Sequence, residues 1–188
     1  MRKQAERDLK SFFKVIWAWE DDKEEHWLEQ KALQGWHLVE VAPFFYKFKR
    51  ESPRRVIYRL DYKGTLDKDY QEYLSIFQDS GWELVTRMSN WHYYRFEPDN
   101  KGVPELYSSN RTKAEKYRRL VIGLVIPLAV LGITFNSTTA RLINPGDGML
   151  QALYFAGFIA RLLIMAFLMY GLIRLILKIR RLQSEPKE

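Results

Sequence analysis

The chain has 188 residues, with 30 lysines and arginines against 23 aspartates and glutamates, and it has no cysteine. The lack of cysteine excludes a disulfide scaffold and a zinc–thiolate site, and a hydrophobic content of 47% excludes a disordered chain. The mean hydropathy of −0.35 averages two unlike parts, because residues 120–177 contain only four charged side chains, Arg141, Asp147, Arg161 and Arg174.

An internal duplication organises the polar part of the chain, which we place at residues 1–105. The sequence Gly35-Trp36-His37-Leu38-Val39 recurs 46 residues later as Gly81-Trp82-Glu83-Leu84-Val85. A helical pattern precedes each copy and an aromatic strand follows it. If Tyr46 is aligned with Tyr94, the offset becomes 48 and the second hairpin is two residues longer than the first.

Each repeat reads strand, helix, strand, strand, over about residues 10–50 and 54–97. Alternating segments at residues 13–17 and 55–60 predict the first strand of each repeat. The predicted fold class is α+β, in which a duplicated β-α-β-β unit forms an antiparallel-rich sheet with its helices on one face.

Glycines and aspartates mark the ends of the two predicted helices. Gly35 and Gly81 stand where a helix ends and a left-handed residue is favoured. Aspartates are predicted to cap the helix starts: Asp21 and Asp22 for the first, Asp67 and Asp69 for the second.

No catalytic or metal-binding pattern is visible in the sequence. It contains no phosphate-binding loop, no dinucleotide glycine fingerprint and no Gly-x-Ser-x-Gly nucleophile elbow. His26, His37 and His92 lack metal-ligand spacing, and the acidic run at residues 20–25 is explained as the start of a helix. We therefore predict a non-enzymatic protein with no cofactor and no metal.

Aromatic residues are abundant, since 28 of the 188 residues are Phe, Trp or Tyr. Consecutive rings in Trp91-His92-Tyr93-Tyr94-Arg95-Phe96 must point to opposite sides of a strand, which predicts some ring surface outside the core. That surface either binds a protein or a small apolar ligand, or packs against the other repeat, the juxtamembrane helix or a twin subunit. The candidate binding residues are Trp17, Trp19, Tyr58, Arg59, Trp91, Tyr93 and Arg95.

A nucleic-acid partner is not expected. Aromatic rings interleaved with arginine are typical of single-strand RNA platforms, but residues 1–100 hold 17 basic and 18 acidic side chains. Such a domain lacks the positive charge that phosphate backbones require.

Two apolar stretches in residues 120–177 predict a transmembrane helical hairpin, with spans at about residues 120–140 and 152–175. Pro127 lies inside the first span, where neighbouring groups can satisfy the carbonyl that it frees. The turn Asn144-Pro145-Gly146-Asp147-Gly148 connects the two spans.

Basic residues flank both spans and predict that the N- and C-termini are cytoplasmic. Residues 106–119 form a basic juxtamembrane helix or linker, and residues 178–188 form a basic tail. We expect the flanking side chains to lie at the membrane surface and to meet anionic lipid headgroups. They are Lys113, Lys116, Arg118, Arg119, Lys178, Arg180 and Arg181.

Arg161 is an intramembrane charge with two interpretations. At the centre of a helix it would cost roughly 2.5–3.5 kcal/mol, which a polar contact with a partner helix or a membrane ligand would offset. Alternatively, its long side chain snorkels to the outer headgroups or meets Asp147.

Several motifs together resemble the DUF2812 family over roughly residues 10–120. They are Glu24-Glu25 followed by Trp27-Leu28, Gly35-Trp36-His37-Leu38, Tyr58-Arg59-Leu60-Asp61-Tyr62, Gly81-Trp82-Glu83-Leu84-Val85, and Leu106-Tyr107-Ser108-Ser109-Asn110. The resemblance implies an uncharacterised membrane-anchored protein of mainly Gram-positive bacteria, often encoded beside a PadR-type transcriptional regulator. It carries over no catalytic residue.

These observations lead to one functional hypothesis with two alternatives. We expect a cytoplasmic sensing or binding module, regulatory in role, held at the bacterial cytoplasmic membrane and recognising a protein partner or an apolar ligand through its aromatic-rich sheet. The expected partners are anionic lipid headgroups and either a partner protein or a second copy of the chain in a homo-oligomer. The alternatives are a structural subunit of a membrane complex and an enzyme acting on a membrane-derived substrate, with Arg161 or the Asp61/Arg59 pair in its site.

Overall fold

The computed structural model describes residues 8–98, 110–134 and 148–184. The chain forms two compact units that divide between Thr112 and Lys113. This division falls inside the linker predicted at residues 106–119. We call residues up to Thr112 the first unit and those from Lys113 the second unit.

The first unit contains both repeats. Repeat one consists of β1 (Leu9–Phe13), α1 (Asp21–Leu33), β2 (Trp36–Ala42) and β3 (Phe45–Arg50). Repeat two consists of β4 (Ile57–Tyr62), α2 (Tyr70–Asp79), β5 (Glu83–Met88) and β6 (Trp91–Phe96). The α+β fold class is confirmed, and the first strand of repeat one lies earlier than the predicted residues 13–17.

The strands form two antiparallel sheets rather than the one sheet predicted. Each repeat builds its own three-stranded sheet, in the order β1-β3-β2 for the first sheet and β4-β6-β5 for the second sheet. In each sheet the last strand of the repeat lies in the middle. The second repeat therefore reproduces the pairing of the first rather than extending its sheet.

The strand pairing within the two hairpins shows that Tyr46 should not be aligned with Tyr94. Leu38 pairs with Phe48, and Leu84 pairs with Tyr94, so both strands of the hairpin keep the offset of 46. Each hairpin carries its irregularity at the same place, between Leu38 and Glu40 and between Leu84 and Thr86. The two hairpins are therefore equally long, and Tyr94 corresponds to Phe48.

The helix ends follow the predicted glycines but not the predicted caps. Gly35 and Gly81 have φ angles of +80° and +83°, a conformation that glycine adopts at no steric cost. The residues before the two helices are Glu20 and Asp69, and neither makes a side-chain capping hydrogen bond. Asp69 instead accepts a hydrogen bond from the Lys63 ammonium at 2.7 Å.

Helix α2 packs on one face of the second sheet. Phe77 stacks on Tyr94 with ring centroids 4.5 Å apart, and both are buried with Ile57 and Trp82. These side chains form a compact aromatic core under α2. Trp82, which directly precedes β5, is buried, whereas its equivalent Trp36 in repeat one is partly exposed.

Helix α1 contacts both sheets. Trp27 packs edge-on against Tyr46 and Phe48 of β3 in the first sheet. On the second sheet, Glu25 accepts the backbone N–H of Leu60 at 2.8 Å and Glu29 accepts that of Tyr58 at 3.3 Å. Because β4 is an edge strand, these carboxylates occupy N–H groups that would otherwise be open to another strand.

Two helices make up the described part of the second unit. Helix α3 spans Asn110–Ile133, so its first three residues belong to the first unit, and helix α4 spans Gly148–Ser184 and is the longer. Among the described helices, α4 alone is long and apolar enough to cross a membrane, with a mean hydropathy of 2.2 over its most apolar stretch. It contains the predicted span at residues 152–175 and extends beyond both of its ends. The predicted span at 120–140 is helical to Ile133, and residues 135–147, including most of the predicted turn, lie outside the described residues.

Two contacts join α3 and α4. The Lys178 ammonium lies 4.6 Å from the ring centroid of Tyr117, and the Arg161 guanidinium donates to the Thr134 carbonyl at 3.0 Å. The contact positions are 17 residues apart on both segments, 117 to 134 and 161 to 178. The helices therefore run antiparallel, with the contacts about 25 Å apart along the axis.

Candidate functional site

An exposed group of rings lies at one end of the first sheet. Phe13 ends β1 and pairs with Phe45, which begins β3, and their ring centroids are 5.4 Å apart. The Phe44 ring lies 6.5 Å from Phe13 and 6.3 Å from Trp17. We call Phe13, Trp17, Phe44 and Phe45 the aromatic patch; their exposed fractions are 65%, 39%, 43% and 53%.

The backbone holds Phe44 in an unfavourable conformation. Its φ is +65°, a region that costs a residue other than glycine about 1–3 kcal/mol. With Pro43 before it, the turn follows the type II pattern, in which glycine or asparagine normally occupies the position of Phe44. The Phe44 carbonyl accepts the Lys14 N–H at 2.9 Å, which ties the turn to the end of β1.

The equivalent turn of repeat two makes the same backbone hydrogen bond without exposed rings, although its positive φ lies at Ser89, the first of its two turn residues. The Asn90 carbonyl accepts the Lys63 N–H at 2.9 Å, as Phe44 accepts that of Lys14. Asn90 stands 46 residues after Phe44, and its side chain donates to the Tyr62 hydroxyl. The equivalent of Phe45 is Trp91, which is buried. The fold therefore does not require apolar rings on the surface at this turn.

The structure divides the seven predicted binding residues. Of the aromatic ones, only Trp17 is exposed, in the loop between β1 and α1, where it stacks on the buried Trp19. Tyr58 and Tyr93 are fully buried, and Trp91 is buried as well. Tyr58 accepts the backbone N–H of Leu38 at 3.1 Å through its hydroxyl.

The prediction that consecutive rings on β6 expose some surface fails for Trp91–Tyr94, whereas Phe96 at the end of the strand is partly exposed. β6 is the middle strand of the second sheet, and its residues Trp91–Tyr94 are all buried. α2 covers one face through Tyr94, and Tyr93 on the other face reaches Glu24 of α1. Of the two predicted alternatives, binding or packing, Tyr58 and Tyr93 follow the second, because both side chains pack against repeat one.

The two predicted arginines are engaged by acidic side chains. Arg59 donates to Glu29 at 2.9 Å, and Arg95 donates to both carboxylate oxygens of Glu83 at 2.8 and 2.9 Å. These contacts hold the guanidinium groups along the strand edges. Neither arginine is close in sequence to the residues of the aromatic patch, and neither takes part in the ring contacts described for the patch.

A buried carboxylate escaped the sequence analysis. Glu24 of α1, only 7% exposed, accepts hydrogen bonds of 2.8 Å from the hydroxyls of Tyr46 and Tyr93. Burial raises the pKa of Glu24 from 4.5 to about 7, although the two hydrogen bonds act to lower it. Burial, followed by the nearby Glu24 charge, also raises the pKa of both tyrosines, so they remain donors. Glu24 thus joins the first sheet to the second.

The basic residues predicted at the membrane surface differ in exposure. Arg118, Arg180 and Arg181 are exposed, whereas Lys113, Arg119 and Lys178 are partly covered. Lys116 is only 2% exposed, which leaves it unable to meet a lipid headgroup in this conformation. Lys116 lies 5.0 Å from the ring centroid of Tyr117.

Arg161 binds the end of the neighbouring helix. Besides the Thr134 carbonyl, its guanidinium donates to the Thr134 hydroxyl. A cation at a helix C-terminus satisfies carbonyls that have no partner within the helix. In the described structure, Arg161 therefore makes an intramolecular contact between helices.

The described residues contain no group of three or more histidines, cysteines or acidic side chains that could hold a metal ion. His92 lies in the core of repeat two, where its Nε2 is 2.7 Å from the Tyr70 hydroxyl.

Comparison with known proteins gives one match. A family described as "Protein of unknown function (DUF2812)" matches residues 20–129, which include most of both repeats and the greater part of α3. No curated protein and no solved structure matches the chain.

Proposed function

The chain belongs to the DUF2812 family, and from that premise we propose that it is a membrane-anchored, non-enzymatic binding module that recognises a protein partner or an apolar ligand through the aromatic patch. The module is cytoplasmic and regulatory, and α3 and α4 anchor it in a bacterial cytoplasmic membrane. The observation that carries this proposal is the exposed Phe44 ring at a positive φ.

Two features support the patch as the binding surface. Four neighbouring rings are exposed together, and contiguous apolar surface of this kind marks interaction sites on soluble domains. The equivalent turn of repeat two carries Ser89 and Asn90 with the same backbone hydrogen bond. Ser89 also has a positive φ, of 55°, so the backbone conformation does not distinguish the two turns. Because a polar turn serves the fold in repeat two, the exposed apolar ring of Phe44 is explained by a contact outside the first unit.

The composition of α4 supports the anchor. Its most apolar stretch has a mean hydropathy of 2.2, and only 11% of that stretch is buried. The core helix of a soluble domain would be covered by protein, whereas lipid would cover these side chains. With α3 antiparallel to it, the two helices form a transmembrane hairpin whose basic ends place both termini in the cytoplasm.

Site-specific photocrosslinking tests the binding surface. A benzophenone amino acid replaces Phe45 in the full-length chain, and the same amino acid replaces Leu66 as the control, because Leu66 is 97% exposed and lies outside the patch. Irradiation of cells of the native host should give a discrete adduct at position 45 and none at position 66. Adducts of equal yield at both positions, or none at position 45, would refute the patch.

A substitution at the strained turn separates binding from folding. Phe44→Asn removes the ring and supplies a residue that tolerates a positive φ. The variant should be at least as stable as the natural chain and should lose the adduct at position 45. If the adduct persists, Phe44 does not contribute to recognition.

A further inference from the structure

A groove of about 420 Å³ lies between α3 and α4 in the second unit. Its floor is apolar and is formed by Val121 and Ile122 of α3 and by Ile176 and Ile179 of α4. At its rim, the groove is lined by two arginines, Arg118 and Arg180, together with Gln183. None of these lining residues is acidic.

The two arginines that line the groove lie toward one of its ends. Arg118 stands four residues before Ile122 on α3, and Arg180 stands four residues after Ile176 on α4. Because the helices are antiparallel, both arginines lie toward the same end. Along the helix axis, Arg118 is about 6 Å from Ile122, and Arg180 is about 6 Å from Ile176.

Charge in the second unit favours an anionic occupant. Its described residues contain nine lysines and arginines and one acidic residue, Glu115. The side chains of Arg118 and Arg180 are both exposed. An excess of positive charge around a low-dielectric groove concentrates anions there.

We propose that this groove binds one anionic glycerophospholipid. Its phosphate lies between the guanidinium groups of Arg118 and Arg180, and an acyl chain lies along Ile122 and Ile176. The planar donor fork of arginine matches the geometry of phosphate oxygens. The inference rests on the proposed function in one respect, the insertion of the second unit in a membrane.

Native mass spectrometry of the full-length chain in detergent counts bound lipids directly. The probes are phosphatidylglycerol and phosphatidylcholine, added separately. Arg118→Gln and Arg180→Gln should each weaken phosphatidylglycerol binding by about fivefold, the effect of one basic residue near a lipid phosphate. Phosphatidylcholine binding should change less, because its choline cation offsets the charge of its phosphate. The control Arg181→Gln removes the same charge from an exposed residue that does not line the groove, and it should leave both affinities unchanged.

A second pair of variants tests the acyl-chain contact without changing charge. Ile122→Trp fills the apolar floor and should lower phosphatidylglycerol binding, whereas Val130→Trp, at an exposed position on α3 outside the groove, should not. An excess of inorganic phosphate should fail to displace the lipid. Displacement by inorganic phosphate would identify a phosphate site and overturn the lipid assignment.

Two further outcomes separate this inference from the proposed anchor. Equal losses in Arg181→Gln and Arg118→Gln would show diffuse attraction and overturn the groove as a site. Flotation of the natural chain with phosphatidylcholine vesicles tests membrane insertion alone. A chain that floats but shows no preference for phosphatidylglycerol overturns only the groove, and a chain that does not float overturns the anchor.

Discussion

Replacing Glu24 by glutamine should remove a pH-dependent loss of stability from the first unit. In the folded chain the Glu24 carboxyl is buried beside Tyr46 and Tyr93, and its pKa is raised to about 7 from 4.5. Between these two pH values the folded state holds a proton that the unfolded state releases. The free energy of unfolding therefore falls as the pH rises through this window, and it does not fall further above the folded pKa.

The size of the effect follows from the shift. Each pKa unit corresponds to about 1.4 kcal/mol, so the charged carboxylate costs the folded state about 3 kcal/mol above pH 7. Asp21, which is also buried, adds to the shift through its charge. Glutamine has nearly the same shape, can still accept a tyrosine hydroxyl and carries no charge. Its stability relative to the natural chain should therefore rise by about 3 kcal/mol between pH 4 and pH 8.

Tryptophan fluorescence measures this difference in the intact protein. All six tryptophans lie between residues 17 and 91, so the signal reports the first unit even when the full chain is held in micelles. Urea unfolding is followed for both proteins across the pH range, and only their difference is interpreted, because other groups titrate in both. A difference that stays constant with pH, or that falls as the pH rises, would refute the reasoning.

Further predictions concern the glycines and the contact between the helices. Gly35→Ala should destabilise the first unit by more than the roughly 1–2 kcal/mol that a positive φ costs an alanine, because the new Cβ would lie 2.6 Å from the Glu51 carbonyl oxygen. Gly81→Ala should cost only the roughly 1–2 kcal/mol of the positive φ. Equal losses of stability in urea unfolding would contradict the argument from the Glu51 contact. Arg161→Gln should speed hydrogen exchange in the last turn of α3 by about tenfold, the effect of losing a charged hydrogen bond to Thr134, and unchanged exchange would show that the contact does not hold the helix end.

The duplication could be predicted because its signals are local. A helix that ends in a left-handed glycine and a strand that begins with tryptophan leave a recognisable pattern, and Gly35 and Gly81 have the predicted conformation. The division into two sheets could not be predicted in the same way. Strand pairing depends on contacts between distant residues, and the alternation of side chains fits an edge strand and a middle strand equally well.

The candidate sites also depend on contacts between distant residues, which the sequence does not reveal. The acidic run at residues 20–25 reads as the start of a helix, and α1 does begin there, at Asp21. Glu24 differs from its neighbours only because Tyr46 and Tyr93, which lie 22 and 69 residues away, close over it. The exposure of Phe44 depends on a turn conformation that its sequence does not favour, so the sequence selected Trp17 of the aromatic patch but not Phe44.

The cover that helix α1 gives to β4 has no counterpart between helix α2 and β1. Glu25 and Glu29 of repeat one bind the outer N–H groups of β4, while no contact between α2 and β1 is found among the described residues. A ribosome delivers repeat one first. When β4 emerges, the segment that carries these carboxylates has already been synthesised. The order of synthesis thus makes the cover of the β4 edge available as soon as that strand is complete.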